Sequence, residues 1–298
     1  MTYHKPVLLK QSVEGLNIKP NGIYVDVTFG GGGHSKEILK NLNDGFLYGF
    51  DQDKDAITNK IEANNFKLIR SNFRFCKNFL MLEGVKKIDG LIADLGISSF
   101  QIDVPERGFA HRFENQIDMR MNTESEFDAK QILNFYSENE IARVLYEYGE
   151  VGQARRVAQR IVQHRSLEKI ETTTQLKEIL KGLYPKKIEN KFLSKIFQAL
   201  RIEVNDEINA LKDLLNDVVG LLKEEGRLVV ISYHSLEDKL IKNLITKGNI
   251  EGVAEKDIYG NRKIVLSPIN KKVIVPDPTE CKRNSRARSA KLRIAEKI

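Results

Sequence analysis

Acidic residues, glycines and a histidine stand at the ends of apolar runs in the first hundred residues, where backbone and side chains can meet a ligand. Asp26 opens the stretch DVTFGGGGHS, in which Gly30 to Gly33 precede His34 and Ser35. Asp51 stands in YGFDQD and Asp94 in ADLGISS. A glycine run before a helix start turns backbone N–H groups toward a ligand, and two nucleotide chemistries use that arrangement. A phosphate-binding loop needs Gly-Lys followed by Ser or Thr, so that the lysine reaches the terminal phosphates, but His34 and Ser35 occupy that place here. Nucleoside triphosphate binding is therefore excluded. A dinucleotide turn needs a third glycine where, counting from Gly30, this chain has Ser35, so NAD binding is weakened and stays open.

The elements that must position these residues are legible in the hydrophobic pattern. IYVDV, FLYGF, FKLI and IDGLIADL are nearly continuous apolar runs, as expected of strands covered on both faces. Between them SKEILKNL, DKDAITNKIEAN and RFCKNFLMLEGV carry apolar residues at helical spacing. Strand alternating with helix predicts a Rossmann-like, doubly wound α/β sheet. Asp26, Asp51 and Asp94 then fall at the carboxyl ends of the first, second and fourth strands, beside the switch point where such sheets bind ligands. A carboxylate there accepts both hydroxyls of a ribose. Several carboxylates together suit a ligand that also carries a positive centre and would repel a pyrophosphate. S-adenosylmethionine has the ribose and the cation and lacks the pyrophosphate.

After Asp103 the pattern changes. From Val104 to Leu200 no strand is predicted, only the polar loop PERGFAHRFENQ and then DAKQILNFY, SENEIARVLYEYG, GQARRVAQRIVQHR, TTTQLKEILKGLY and NKFLSKIFQALR, each with helical spacing. Ser137 with Glu140 forms a capping box, and Thr173 or Thr174 is expected to cap a later helix. Residues 104–200 thus form an inserted all-helical domain between 1–103 and 201–298, which make up one discontinuous domain. The α/β pattern resumes with a helix from Asp206 to Leu222, Gly226 as its stop, and the strand RLVVISY; KIVLSP and KKVIVP are expected as short closing strands.

The remaining composition narrows the class. With 41% hydrophobic and 30% charged residues in a chain of 298, the expectation is a globular protein of one or two domains. No apolar run approaches the ~20 residues that span a bilayer, and MTYHKPVLLK lacks a signal-peptide core, so a cytoplasmic protein with no membrane partner is expected. Cys76 and Cys281 lie far apart without metal-ligand spacing, which argues against zinc or a disulfide framework. The net charge of +7 favours a polyanionic partner, and it concentrates in QARRVAQRIVQHR and in CKRNSRARSAKLRIAEK.

DVTFGGGGHS, DLGISS with QID and ERGF behind it, IDMRMN, FQALRIEVN, ISYHSLEDK and NSRARSAKLRIAEK, in that order, together resemble the bacterial ribosomal RNA small subunit methyltransferase H family, also called MraW. The resemblance covers nearly the whole chain. It implies a class I methyltransferase fold, S-adenosyl-L-methionine as cofactor, and N4-methylation of a cytidine in the decoding region of 16S rRNA, with free rRNA or the small ribosomal subunit as partner; a homodimer is left open. It also implies cofactor contacts at Gly32, Gly33, His34, Asp51, Phe73, Asp94 and Gln101. Phe100 and Gly31 depart from the family's usual residues, which leaves the rigidity of their turns in doubt and not the ligand set.

On the substrate side the chemistry asks for hydrogen-bond acceptors that receive the N–H bonds of the target amine while it attacks. In ADLGISS that acceptor would be Asp94, Ser98 or a backbone carbonyl between them, with Asp94 the candidate catalytic residue; Asp118 and Arg120 of IDMRM and His234 of YHSLED are further candidates, although Asp118 with Arg120 reads equally as an ion pair and His234 as a helix cap. Arg155, Arg156, Arg160 and Arg165 are expected along one side of a helix, where they could hold phosphates around an extruded base. The tail adds Lys282, Arg283, Arg286, Arg288, Lys291 and Arg293. Two other classes remain as alternatives: an NAD-dependent oxidoreductase, and a non-catalytic RNA-binding protein on the same fold.

Overall fold

A computed structural model describes residues 6–254, 263–270 and 272–298 and divides the chain into two compact units, 1–96 with 208–298 and 97–207. The sequence pattern places these edges at 103/104 and 200/201. The helical unit starts earlier because Ile97 already packs against the helical core.

In the first unit the elements alternate as the apolar runs require: α1 (Leu9–Gly15), β1 (Ile23–Asp26), α2 (Gly33–Leu39), β2 (Phe46–Asp51), α3 (Lys54–Ile57), β3 (Phe66–Arg70), α4 (Cys76–Leu82) and β4 (Ile88–Asp94). The sheet has seven strands in the order β3-β2-β1-β4-β5-β7-β6, with β5 (Leu222–Ser232), β6 (Leu266–Pro268) and β7 (Lys291–Lys297) completing it. The pairs from β3 through β5 are parallel, whereas β7 runs antiparallel to both β5 and β6. The order reverses between β1 and β4, which makes this a doubly wound, Rossmann-like sheet with its switch point at the ends of those two strands. Both faces are covered, so Tyr24, Leu47, Phe50, Leu91, Ile92 and Val229 are fully buried.

Several local expectations fail for identifiable reasons. DKDAITNKIEAN forms only the single turn α3: Asp53 caps it through the Asp55 N–H, and Asn59 ends it by donating to the Ala56 carbonyl. The helix before β5 stops at Leu221, and the chain bulges between Leu222 and Arg227, with Glu225 in the left-handed region (φ 62°). KIVLSP supplies β6, but KKVIVP, whose first residue lies outside the described residues, contributes only a bridge from Ile274 to Leu292. The closing strand is instead β7, from the basic tail, where Lys291 and Arg293 reach Asp238 at 3.4 and 2.7 Å. Both cysteines are free, and among the described residues no helix is long and apolar enough to cross a membrane.

The second unit holds α5 (Ser99–Asp103), α6 (Ala129–Phe135), α7 (Glu138–Gly149), α8 (Ala154–Arg165), α9 (Thr173–Leu180) and α10 (Glu189–Val204). Residues 206 onward lead into α11 (Glu207–Leu221), and the first unit also carries α12 (Ser235–Lys247) and α13 (Pro278–Arg283). Ser137 and Glu140 close the expected capping box on α7. On α9 the cap is Thr172, one residue earlier than expected, because its hydroxyl meets the Gln175 N–H and Gln175 answers. Among the described residues the only β feature of this unit is the bridge from Gln116 to Thr172. Its core is a continuous cluster of Ile, Leu, Val and Met, including Ile117, Met119, Val157 and Leu200.

One polar side chain holds the IDMRM loop to that core. Asn205 accepts the Met121 N–H at 2.7 Å and donates to the Met119 carbonyl at 2.7 Å, while Met119 itself is buried with φ 65°. A non-glycine residue in that region persists only where its surroundings over-determine it. Asn205→Ala removes two hydrogen bonds to backbone groups of this loop and is expected to destabilise the protein by about 2 kcal/mol. Asn205→Asp, which keeps the acceptor and loses the donor, should also destabilise. Urea denaturation of the three proteins checks this, and equal stability would remove Asn205 from the anchoring role.

Candidate active site

The first unit brings Asp26, the glycine turn, His34, Asp51 and Asp94 together at the carboxyl ends of β1, β2 and β4. Asp26 is fully buried, its Oδ2 accepting the Ser35 hydroxyl at 2.7 Å and its Oδ1 the Thr28 N–H at 3.2 Å. Asp51 accepts the Gly30 N–H on Oδ2 at 2.8 Å and the Asp53 N–H on Oδ1 at 2.9 Å, so the second strand tip holds the turn that follows the first. Asp94 accepts the Tyr233 hydroxyl on Oδ1 at 2.8 Å, and its own N–H donates to Thr28 Oγ1 at 2.7 Å.

The turn needs its glycines for shape. Gly32 caps α2 with φ 72°, and a Cβ there would lie 2.8 Å from the ring of Phe29; one on Gly33 would lie 2.1 Å from Cγ of Pro6. The helix behind the turn has only seven residues, so the turn's own N–H groups matter more than any helix dipole. His34 is buried in the first turn of that helix, with Nε2 3.3 Å from the Val7 carbonyl and Nδ1 4.0 Å from Asp94 Oδ2. If Nε2 donates to Val7, Nδ1 faces the carboxylate as an acceptor, and a proton is wanted between them.

The electrostatics of this cluster are distinctive. Burial raises the carboxyls of Asp26, Asp51 and Asp94 to about 6 each. Hydrogen bonds from Ser35 and Thr28, from Asp53 and Gly30, and from Tyr233 partly offset that, as does the charge of His34 on Asp94. Burial also lowers His34, against the pull of Asp94. Among the described residues no Lys or Arg pairs with any of these carboxylates. Desolvated anions without a cation fit a ligand that brings a positive charge and hydroxyl donors.

The other residues singled out by sequence take more structural places. Phe73 opens a short 3₁₀ turn behind its cap Asn72 and packs, half-buried, against the core under the sheet. His234 caps α12: its Nδ1 accepts the Glu237 N–H at 3.5 Å and its Nε2 lies 3.1 Å from Glu237 Oε1, beside buried Glu237. In the helical unit, Gln101 closes a capping box with Ser98, accepting the Ser98 N–H at 3.0 Å. Asp118 and Arg120 form a two-pronged ion pair at 2.8 and 2.6 Å, and burial of Asp118 is outweighed by that arginine, so its carboxyl is lowered.

On α8 the buried stripe Ala154, Val157, Ala158 and Ile161 leaves Arg155, Arg156 and Arg160 exposed, with Gln153, Gln159 and Gln163. Arg165 is off that face; its Nη1 donates to the Leu133 carbonyl at 2.9 Å near the end of α6. The residue that sequence reasoning missed is Tyr233. Its signal was its place, since a residue just past β5 stands next to the tip of β4 in this strand order.

The description "MraW methylase family" matches residues 1–298. The chain is 53% identical over 299 residues to the ribosomal RNA small subunit methyltransferase H of Flavobacterium johnsoniae, covering 100% of this chain and 99% of that protein. It is 51% identical to the protein of the same name from Bacteroides thetaiotaomicron, covering 100% and 98%. Among solved structures, an rRNA methylase from Streptococcus thermophilus is 12% identical with a TM-score of 0.41, covering 100% of this chain and 99% of that one. With the family match over its whole length, the chain belongs to the MraW methylase family.

Proposed function

We propose that this protein transfers a methyl group from S-adenosyl-L-methionine to N4 of a cytidine in the decoding region of 16S rRNA. The observation that carries the reading is the carboxylate cluster around the left-handed glycine turn, which among the described residues has no lysine or arginine partner, in a chain that matches the methylase family throughout. Relatives named as methyltransferases of small-subunit rRNA support the substrate. The NAD-dependent alternative loses its footing, because a pyrophosphate would face three carboxylates with no cation between.

In this reading Asp51 accepts the ribose hydroxyls, Gly32 and Gly33 floor the methionine end, and Asp94 with His34 borders the positive centre; Phe73 and Gln101 complete the proposed set. The cofactor supplies an electrophilic methyl on a sulfonium. The residues do the rest by placement, since an in-line displacement gains most of its rate from alignment. Asp94 is suited to accept an N–H of the target amine, and its raised carboxyl is basic enough to take the proton that the amine loses. In the helical unit Arg155, Arg156 and Arg160 offer to phosphates three guanidinium groups that have no partner among the described residues. Asp118, Arg120 and His234 support loop and helix geometry on the substrate side.

Mass spectrometry of rRNA nucleosides from cells with and without this protein is expected to show N4-methylcytidine in the decoding region only with it. Its absence, with rRNA still bound, would leave the non-catalytic RNA-binding alternative. The pH dependence follows from the raised carboxyls. Their contribution to stability is present below the unfolded value near 3.8 and is lost as pH rises through about 6, while the charged forms that attract a cation exist above it. S-adenosylmethionine should therefore bind well at pH 7.5 and weaken as pH falls through about 6. S-adenosylhomocysteine, which lacks the positive sulfur, should respond less; calorimetry with both ligands measures the difference. Arg155→Ala with Arg156→Ala should weaken rRNA binding and reduce the salt slope by about one for each phosphate that is no longer neutralised. An unchanged slope in a salt titration would return this helix face to plain solvation.

A further inference from the structure

We propose that Tyr233 is a positioning residue for the methyl transfer, its hydroxyl locking the Asp94 carboxylate in the orientation that the cationic centre and the target amine require. The inference rests on the cofactor reading above.

Tyr233 is the first residue beyond β5, and the register pairs Asp94 with Ile231 on that strand. The phenol crosses from one strand tip to the next and donates to Asp94 Oδ1 at 2.8 Å. Both ends of the tyrosine are held. Its N–H donates to Oε2 of buried Glu237 at 2.9 Å, and its ring packs on the core beside Gly96, whose backbone takes φ 92° in the turn that follows β4. A Cβ on Gly96 would stand 3.7 Å from the ring, so the tyrosine lies against the turn that leaves Asp94.

A carboxylate turns easily about its last bond, and its two oxygens are equivalent until something distinguishes them. Here the rigid phenol takes Oδ1, which turns Oδ2 toward His34. The backbone of the same residue is fixed by Thr28, so little freedom remains. The groups that face Asp94 are His34 from α2, Asp26 from β1, Glu237 from α12 and Tyr233 itself. Asp26 and Glu237 disfavour the charged carboxylate, whereas His34 and the phenol favour it. Burial, then the charge of Asp94, holds the phenol well above its ordinary value of 10, so it donates throughout the neutral range.

The test follows the ratio of S-adenosylmethionine to S-adenosylhomocysteine affinity against pH, with thermal unfolding as the readout of fold. The wild-type ratio should fall as pH drops through about 6. Tyr233→Phe keeps the ring and removes one hydrogen bond to the charged form, so the midpoint should move up by about one unit. Fluorotyrosine at position 233 is a stronger donor of nearly the same shape, and it should move the midpoint down. In an Asp94→Asn background neither change should alter the ratio further. A midpoint unmoved by both tyrosine changes, in folded protein, would overturn the positioning role while leaving the cofactor reading intact. Wild-type protein whose affinity ratio does not titrate would reject that reading, and this inference with it.

Discussion

Three carboxylates desolvated at neighbouring strand tips, with no lysine or arginine against them among the described residues and only His34 beside Asp94, are the constraint around which the first unit is arranged. Burying an anion is unfavourable unless hydrogen bonds or a cation compensate, and here the compensation comes mainly from hydrogen bonds, with His34 beside Asp94. Each carboxylate therefore becomes a fastening point. Asp51 grips Gly30, Asp26 grips Ser35 and Thr28, and Asp94 grips Tyr233. The bonds that make the charges tolerable are the same bonds that shape the turn. The incomplete compensation is visible in carboxyls that stay near 6, well above an exposed aspartate.

The sheet makes that concentration of charge unavoidable. Parallel strands deliver all their carboxyl ends to one edge, and the reversal between β1 and β4 opens a crevice there. Antiparallel β7 inserts between β5 and β6, so β5 is a central strand, paired with β4 on one side and, up to the residue before Tyr233, with β7 on the other. Arg293 and Lys291 of β7 converge on Asp238 in α12, the helix capped by His234. Basic residues that looked available for a polyanion are thus partly spent on holding the strand that supports Tyr233.

Continuous apolar strands and the aspartates at their ends were legible because buried parallel strands and polar tips are composed differently. The helical insertion was legible from periodicity and from Ser137 with Glu140, a cap that needs only two residues at fixed spacing. What escaped the sequence depends on tertiary partners. KLRIAEK alternates charge with apolar residues and reads as a tail until β5 is there to pair with it. The α3 segment has helical spacing, yet Asn59 turns back to the Gly30 and Ala56 carbonyls, a choice made by the neighbouring turn. Tyr233 was overlooked because a tyrosine after a strand is unremarkable unless the strand order is known. His34 was noticed for its place in the glycine run, but its burial against Val7 and its approach to Asp94 belong to the fold.

Net charge says less about a polyanionic partner than the pairing of individual cations does. In the helical unit Arg143 reaches Glu147 and Glu203, Arg201 meets Glu207 at 2.7 Å, Arg120 meets Asp118, and Arg165 ends on a carbonyl near the end of α6. Those arginines stabilise the unit and have little left for a ligand. The outer face of α8 differs in kind, since its exposed side chains are arginines and glutamines and the helix carries no acid. Internal pairing cannot explain that face. Like charges on a helix that carries no acid repel one another, which disfavours the compact state unless an anion shares the field. Both units thus carry charge that the protein alone leaves uncompensated, negative at the strand tips and positive on one helix, and the two deficits suit a cationic methyl donor and a phosphate backbone.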